Sequence, residues 1–122
     1  VAGGNSFYLL QQLKIKDVIQ ELIEFANNKI YVGTSAGACI DCPSIDYVQE
    51  LDNKSQAPLL DNYNAMNLVD FYVLSHYKSK EKYTKIADEI EKNYNNYKFV
   101  KISNEQAIII DEVNNYRVVE TN

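Results

Sequence analysis

The sequence has few of the residues from which metal, nucleic-acid and membrane sites are built. Its 122 residues include one histidine and two cysteines, which is a poor ligand set for zinc. Aspartate and glutamate (17) outnumber lysine and arginine (12), and a net charge of −5 without a basic stripe argues against a nucleic-acid partner. No apolar run approaches the roughly 20 residues of a membrane span, and no secretory signal is found. We therefore expect a cytoplasmic protein with no cofactor, no metal and no membrane partner.

The remaining composition is that of a small globular domain. Hydrophobic residues make up 46% of the chain and charged residues 24%, which is typical of a soluble domain with its own core. The chain starts with Val1-Ala2-Gly3-Gly4, which looks like the end of a strand that runs into a glycine turn. We therefore predict that residues 1–122 form a single domain, which is the C-terminal part of a larger α/β domain.

Helical and strand patterns alternate along the chain. Helices are predicted after a cap at Asn5 or Ser6, from Asp17 to about 26, from 36 to about 41, and from 79 or 80 to about 94. Strands are predicted at 30–32, 68–74, 99–102, 107–111 and 116–119. This order predicts an α/β fold with a mostly parallel sheet flanked by helices, closed by a C-terminal β-hairpin that turns at Asn114-Asn115. The irregular connection over 44–67 is long, and such loops are usually functional or mobile.

The two cysteines form a C-x-x-C pair at Cys39 and Cys42. A redox pair requires an exposed first cysteine at a helix start. This pair lies beyond a predicted helix start and directly before Pro43. We therefore interpret both cysteines as packing residues.

The segment Gly33-Thr34-Ser35-Ala36-Gly37 has the spacing of a nucleophile elbow. An apolar run ends in Gly-x-Ser-x-Gly, a pattern typical of a strand, a sharp turn and a helix start with serine at the apex. Such a turn needs small residues because the backbone is tight and the neighbouring elements are close. It also places backbone N–H groups beside the Ser35 hydroxyl, which suits a nucleophile that generates an oxyanion. The alternative is an ordinary turn whose small residues serve packing alone.

The only histidine, His76, lies at the end of a predicted strand. In open α/β sheets, sites gather at the carboxyl ends of strands, and Ser35 also follows a strand end. If the two strands are neighbours, His76 can take the serine proton and pass it to the leaving group. The alternative is a core or surface histidine without a catalytic role.

A third residue should orient the imidazole of His76. Asn104 and Glu105 lie in a loop at the end of a predicted strand, and Glu50 and Asp52 lie in the long connection. The residue pattern does not choose among these four, and each of them can also be an ordinary solvated residue.

Four blocks of the sequence, in the same order, resemble the motifs of the peptidase E-like serine peptidases. This is peptidase family S51, which includes aspartyl dipeptidase and, more distantly, cyanophycinase. The four blocks together cover nearly the whole chain. They are Val1–Leu10, Gly33–Ala38 with the following Cys42–Ile45, Asn67–Phe71 with the following His76-Tyr77, and Glu105–Ile108.

The resemblance implies a fold, a reaction and a set of site residues. The fold would be the class I glutamine amidotransferase-like α/β fold, with this chain as the C-terminal part of the domain. Ser35 would be the nucleophile, His76 the base, and the backbone N–H groups of Gly4 and Ala36 the oxyanion hole. The substrate would be a dipeptide or another short peptide, including peptides with an N-terminal aspartate. A homo-oligomer is left open.

Two positions depart from the family pattern. Ser75 stands where the family has proline before its histidine, which would loosen the backbone of His76. Asn104 falls where well-known members have an acidic residue, with Glu105 next to it as an alternative third member. A neutral amide can orient an imidazole but cannot stabilise imidazolium by charge. The second hypothesis is therefore a weak or inactive relative that binds a small ligand or a partner.

Overall fold

The computed structural model describes residues 1–112 and 115–120. These residues form two compact units that divide after Leu68. Unit 1 holds three helices and the long connection, and unit 2 holds four strands and one helix.

Unit 1 begins with α1 (Ser6–Ile15) and α2 (Ile19–Asn28). Of the two predicted caps of α1, Asn5 and Ser6, the structure has Asn5, whose side chain accepts a hydrogen bond from the Tyr8 N–H at 3.0 Å. The predicted cap of α2 at Asp17 is wrong. Asp17 has a φ of 54° and its N–H bonds back to the Lys14 carbonyl, so it ends α1 in the left-handed conformation that short polar residues tolerate.

The predicted buried strand at 30–32 is also wrong. The described residues 30–34 form neither strand nor helix, and Ile30 and Val32 are 86% and 66% exposed. The backbone hydrogen bonds here are with Val1, whose amino group donates to the Val32 carbonyl and whose carbonyl accepts from the Thr34 N–H at 3.0 Å, and with Gly37, whose N–H donates to the Thr34 carbonyl at 3.0 Å. Two bonds to one residue do not make a ladder, since a strand needs a partner of several residues. Helix α2 has no buried residue.

The long connection after α3 (Ala36–Cys39) supplies much of the core of unit 1. It forms two short 3₁₀ helices, Asp46–Glu50 and Lys54–Gln56, and an isolated bridge between Ser44 and Asn64. Burying these apolar side chains stabilises the loop, because each removes apolar surface from water. Its buried residues include Ile45, Tyr47, Val48, Ala57 and Met66.

Unit 2 contains a parallel pair of strands linked by a helix, followed by a hairpin. Strand β1 (Tyr72–Leu74) leads through α4 (Glu81–Asn93) to β2 (Phe99–Lys101), which pairs with β1 in parallel. This is the crossover that parallel strands require. The strand predicted over 68–74 is therefore only three residues long.

The predicted hairpin is found as β3 (Gln106–Glu112) and β4 (Asn115–Glu120), which pair antiparallel. In the described residues it does not close the parallel pair as predicted but forms a separate two-stranded sheet. Its predicted turn at Asn114-Asn115 falls partly outside the described residues, which resume at Asn115. The mixture of helices, a parallel pair and a hairpin confirms an α/β protein. Among the described residues, none of the helices combines the length and the apolar character that a membrane crossing requires.

Candidate active site

Ser35 occupies a strained backbone position at the apex of a turn. Its φ and ψ are 54° and −111°, a region that a residue with a Cβ rarely occupies, at a cost of about 1–3 kcal/mol. The next residue, Ala36, begins α3. The Ser35 carbonyl accepts from the N–H groups of Ala38 and Cys39, each at 3.0 Å. The strained serine and the helix start match two parts of the predicted nucleophile elbow, whereas the strand that precedes such a turn is not formed at residues 30–34.

The glycines on both sides of Ser35 have no room for a side chain. A Cβ on Gly33 would lie 2.4 Å from the Gly37 carbonyl oxygen, and a Cβ on Gly37 would lie 2.2 Å from the Val1 carbonyl oxygen. Both neighbours are backbone atoms, so no rotamer change relieves the clash. The Gly-x-Ser-x-Gly spacing is therefore a steric requirement of this turn.

The Gly3-Gly4 turn lies directly against the Ser35 side chain. A Cβ built on Gly3 would be 3.1 Å from the Ser35 Cβ and 3.6 Å from its Oγ. Gly4 has a φ of +129°, where glycine alone is unstrained. Within the described residues, no acceptor is found for the backbone N–H of Gly4 or of Ala36. Both predicted oxyanion donors thus belong to the same unit as Ser35.

Asn5 and Ser6, which follow this turn, are hydrogen-bonded to the long connection. The Asn5 side chain donates to the Asn53 carbonyl at 3.0 Å, and the Asp52 carboxylate accepts from the Ser6 N–H at 2.8 Å. A carboxylate at the start of α1 is stabilised by the helix dipole. Asp52, one of the candidates for the third residue, therefore caps a helix. The candidate Glu50 is an exposed residue at the end of a 3₁₀ helix.

His76 lies in unit 2 immediately after β1, in a backbone held on both sides. Ile102 extends the parallel ladder, since its N–H donates to the Leu74 carbonyl and its carbonyl accepts from the Tyr77 N–H, both at 3.0 Å. The Ser79 hydroxyl donates to the His76 carbonyl at 2.7 Å. His76 itself has a φ of 62°. These bonds hold the backbone on both sides of His76.

The imidazole of His76 is hydrogen-bonded to Asn104. The distance from Nδ1 to the Asn104 Oδ1 is 2.8 Å. An amide oxygen only accepts, so Nδ1 of a neutral His76 carries the proton and Nε2 keeps its lone pair. Asn104 lies two residues beyond Ile102, so the ladder that holds His76 also positions its partner. Glu105 is exposed, and its N–H donates to the Ser103 hydroxyl at 3.3 Å.

The two cysteines are buried free thiols packed against Tyr47. The Cys42 sulfur lies 3.7 Å from the Tyr47 hydroxyl. Burial raises the pKa of Cys39 to about 11, which leaves almost no reactive thiolate at neutral pH. The packing interpretation of the pair agrees with this burial. In residues 1–112 and 115–120, no group of three or more metal-binding side chains is placed to hold an ion.

Sequence reasoning missed two polar residues that support the elbow, Tyr31 and Asp41. The Tyr31 hydroxyl donates to the Gly37 carbonyl at 2.8 Å. The Asp41 carboxyl lies beside that hydroxyl, and its Oδ1 is buried without a partner among the described residues. Burial raises the pKa of Asp41 to about 7. Neither residue has a recognisable sequence signal, because the two side chains meet only when the turn folds.

Asp41 is expected to make folding stability depend on pH. Its folded pKa of about 7 lies above its ordinary value of 3.8, so between these values the folded state binds a proton that the unfolded chain releases. The stabilisation is complete below about pH 4 and is lost as the pH rises through 7. Raising the pH from about 5 to about 8 should lower the free energy of unfolding by about 2 kcal/mol through this group.

Urea unfolding of the full-length protein at both pH values measures this effect. Asp41→Asn should remove the difference, whereas Asp70→Asn, at an exposed position, should retain it. An equal pH dependence in the wild type and in Asp41→Asn would contradict the assignment.

Comparisons with known proteins agree on one family. The model of peptidase family S51 matches residues 1–117. The chain is 43% identical to "Uncharacterized peptidase Lin0382" of Listeria innocua over 112 residues, which is 90% of this chain and 53% of that protein. It is 42% identical to "Uncharacterized peptidase PM1590" of Pasteurella multocida over 115 residues, which is 91% of this chain and 54% of that protein. The chain thus spans about half the length of the curated relatives it matches.

A solved structure has the same fold as this chain. It is the crystal structure of a "Peptidase E Protein" from Listeria monocytogenes EGD-e, with a TM-score of 0.84 and 40% sequence identity. The match covers 100% of this chain and 58% of that one. Because the family model spans nearly the whole sequence, this chain belongs to peptidase family S51.

Proposed function

We propose that the protein is a serine peptidase of the peptidase E type that hydrolyses dipeptides or other short peptides. The observation that carries this proposal is the backbone of Ser35, which is held at a φ of 54° between two glycines that cannot carry a side chain. Strain of this kind persists only where the surrounding structure holds it, and it concentrates at active sites. Membership of peptidase family S51 supports the same function.

In the proposed reaction, the Ser35 Oγ attacks the carbonyl carbon of the scissile peptide bond. Nε2 of His76 accepts the hydroxyl proton and then donates it to the leaving amine as the C–N bond breaks. A water molecule then attacks the acyl-enzyme, giving its proton to the same nitrogen, and the acid product leaves as Ser35 recovers its proton. The contact between Nδ1 of His76 and the Asn104 Oδ1 supports this role, because a neutral imidazole that donates from Nδ1 keeps the lone pair of Nε2 available.

The negative charge that develops on the carbonyl oxygen needs donors that are already in place. The backbone N–H groups of Gly4 and Ala36 are the proposed donors. The contact of the Gly3-Gly4 turn with the Ser35 side chain supports this assignment. Removing one donor of an oxyanion hole costs about 10²–10³ in kcat in a well-studied serine peptidase. Backbone donors cost little reorganisation, because the fold fixes their direction.

The finer details of the fold and substrate belong to the same proposal. We propose a class I glutamine amidotransferase-like domain, of which residues 1–122 are the C-terminal part. Dipeptides with an N-terminal aspartate are the first substrates to assay, followed by other short peptides. The proposed location is the cytoplasm, in keeping with two free thiols.

A dipeptide library tests the proposal with the full-length protein. Release of free amino acid from at least one dipeptide, by the wild type but not by Ser35→Ala, is the expected result. A folded protein that hydrolyses no dipeptide or longer peptide would count against it.

Asn104 provides a test of how His76 is oriented. Asn104→Ala removes the acceptor for the Nδ1 proton, so the imidazole can turn and take the wrong tautomer. We expect kcat to fall about 10- to 100-fold with KM nearly unchanged, within the range of an acid–base contribution. Steady-state kinetics on the best dipeptide measure this.

The matched control for Asn104 is Glu105→Ala, next to it in the same loop. We expect kcat to change by less than about threefold, which corresponds to less than about 1 kcal/mol. A larger loss with Glu105→Ala than with Asn104→Ala would make Glu105 the third residue instead.

One observation favours a second candidate function, a weak or inactive relative that binds a small ligand or a partner. The residue bonded to His76 is a neutral amide, which cannot stabilise imidazolium by charge. Formation of an acyl-enzyme at Ser35 would exclude this candidate.

A further inference from the structure

The turn that carries Ser35 is bridged by a side chain from outside the Gly-x-Ser-x-Gly segment. Tyr31 lies two residues before Gly33, and its hydroxyl donates to the carbonyl of Gly37 at 2.8 Å. The two ends of this bond lie on opposite sides of Ser35 in the sequence. The bond therefore closes a loop of backbone whose apex is Ser35.

The Gly37 carbonyl has little support from α3 itself. This helix has only four residues, and the Asp41 N–H bonds to the Ala38 carbonyl rather than to Gly37. Carbonyls at a helix end lack backbone donors. The Tyr31 hydroxyl supplies the missing donor for the Gly37 carbonyl. The Tyr31 ring also fills the turn, since a Cβ on Gly33 would lie 2.9 Å from its Cε1.

The hydroxyl of Tyr31 remains a donor at physiological pH. Burial first, and then the carboxylate of Asp41, raise the pKa of Tyr31 above its ordinary value. A phenol that stays protonated retains the donor that makes the bond to the Gly37 carbonyl.

We propose that Tyr31 is a positioning residue for the nucleophile, holding the Gly37 side of the turn so that the Ser35 backbone keeps its strained conformation. This inference rests on the proposed function, because it assigns Tyr31 a part in the reactivity of Ser35. Tyr31 acts through the backbone and touches neither substrate nor reacting atoms. Without the hydroxyl, the turn can relax toward an unstrained conformation, and the fraction of molecules with Ser35 correctly placed falls.

The test is Tyr31→Phe in the full-length protein, with a fluorophosphonate probe as the reactant. The rate of covalent labelling at saturating probe (kinact) and the half-saturating concentration (Ki) separate reactivity from binding. We expect kinact to fall about tenfold, which corresponds to about 1.4 kcal/mol, while Ki stays within about twofold. Tyr63→Phe is the matched control, since Tyr63 is in the same unit and packs its ring on Phe7. It should leave both constants unchanged.

Hydrogen–deuterium exchange over residues 33–40 supplies a second readout that does not need catalysis. The N–H of Gly37 donates to the Thr34 carbonyl and the N–H of Ala38 donates to the Ser35 carbonyl, each at 3.0 Å. These amides should exchange faster in Tyr31→Phe than in Tyr63→Phe. Suppose that the wild type labels at Ser35. An unchanged kinact in Tyr31→Phe, or unchanged exchange over residues 33–40, then overturns the positioning role, while the proposed function stands. If the folded wild type does not label at Ser35, the proposed function fails and the positioning role fails with it.

Discussion

Ser35→Ala is expected to lower kcat/KM for dipeptide hydrolysis by a factor of about 10⁴ or more. Alanine lacks the Oγ that forms the acyl-enzyme, so the covalent route is lost while the oxyanion donors and the binding surface remain. Stability should change little, since alanine and serine have nearly the same strain at a φ of 54°. Steady-state kinetics on the best dipeptide and a thermal unfolding curve measure the two effects.

Ser55→Ala is the matched control for this substitution. Ser55 is exposed, lies in the second 3₁₀ helix and has no proposed part in the reaction, and its hydroxyl donates to the Asn53 side chain at 2.7 Å. Its replacement therefore removes the same atom from a serine outside the proposed chemistry. We expect unchanged kcat/KM. Retention of activity by Ser35→Ala, in a preparation free of contaminating peptidases, would contradict the nucleophile assignment.

Gly33→Ala is expected to have the largest effect on stability. Its Cβ would lie 2.4 Å from the Gly37 carbonyl oxygen and 2.7 Å from the carbonyl carbon, well inside van der Waals contact. Relief requires the backbone on both sides of Ser35 to move apart. We expect the free energy of unfolding to fall by about 3 kcal/mol, at the upper end for overpacking, as measured by urea unfolding of the full-length protein.

Gly4→Ala distinguishes a steric effect from a conformational one. No atom lies within 4 Å of a Cβ at Gly4, but its φ is +129°. The cost there is backbone strain alone, about 1–3 kcal/mol. The steric account of the elbow would be contradicted if Gly33→Ala caused no loss of stability. It would also be contradicted if shortening Tyr31 abolished that loss, because the clash would then be with the Tyr31 ring and not with the Gly37 carbonyl.

The parts of the fold that could be predicted are those specified by local pattern. Helix α4 and the β3–β4 hairpin lie close to their predicted bounds, because apolar periodicity and the breaks around them are properties of a few consecutive residues. The predicted strand at 30–32 depends instead on pairing with a partner strand. In the described residues, the backbone of 30–32 is hydrogen-bonded only to Val1. Asp17 was predicted as a cap because a short polar side chain suits both a helix start and a left-handed helix end.

The site could be predicted in part. The tight turn at Ser35 can be predicted because it restricts the residue types around it, and those restrictions are visible as glycines. The residue pattern alone leaves Asn104 among four candidates, and the family resemblance points to it. Its hydrogen bond to His76 depends on the ladder through Ile102, which brings the histidine loop and the Asn104 loop together. Tyr31 left no trace in the sequence, because one hydrogen bond to a carbonyl requires no recognisable spacing.

The most direct test of the account is to locate a fluorophosphonate label by peptide mass spectrometry in the full-length protein. The account predicts that the label is on Ser35 in the wild type and that labelling is lost, or slowed at least about 100-fold, in His76→Ala. Labelling at another residue, equal labelling in His76→Ala, or no labelling of a protein shown to be folded would contradict the claim that Ser35 and His76 form a working nucleophile and base.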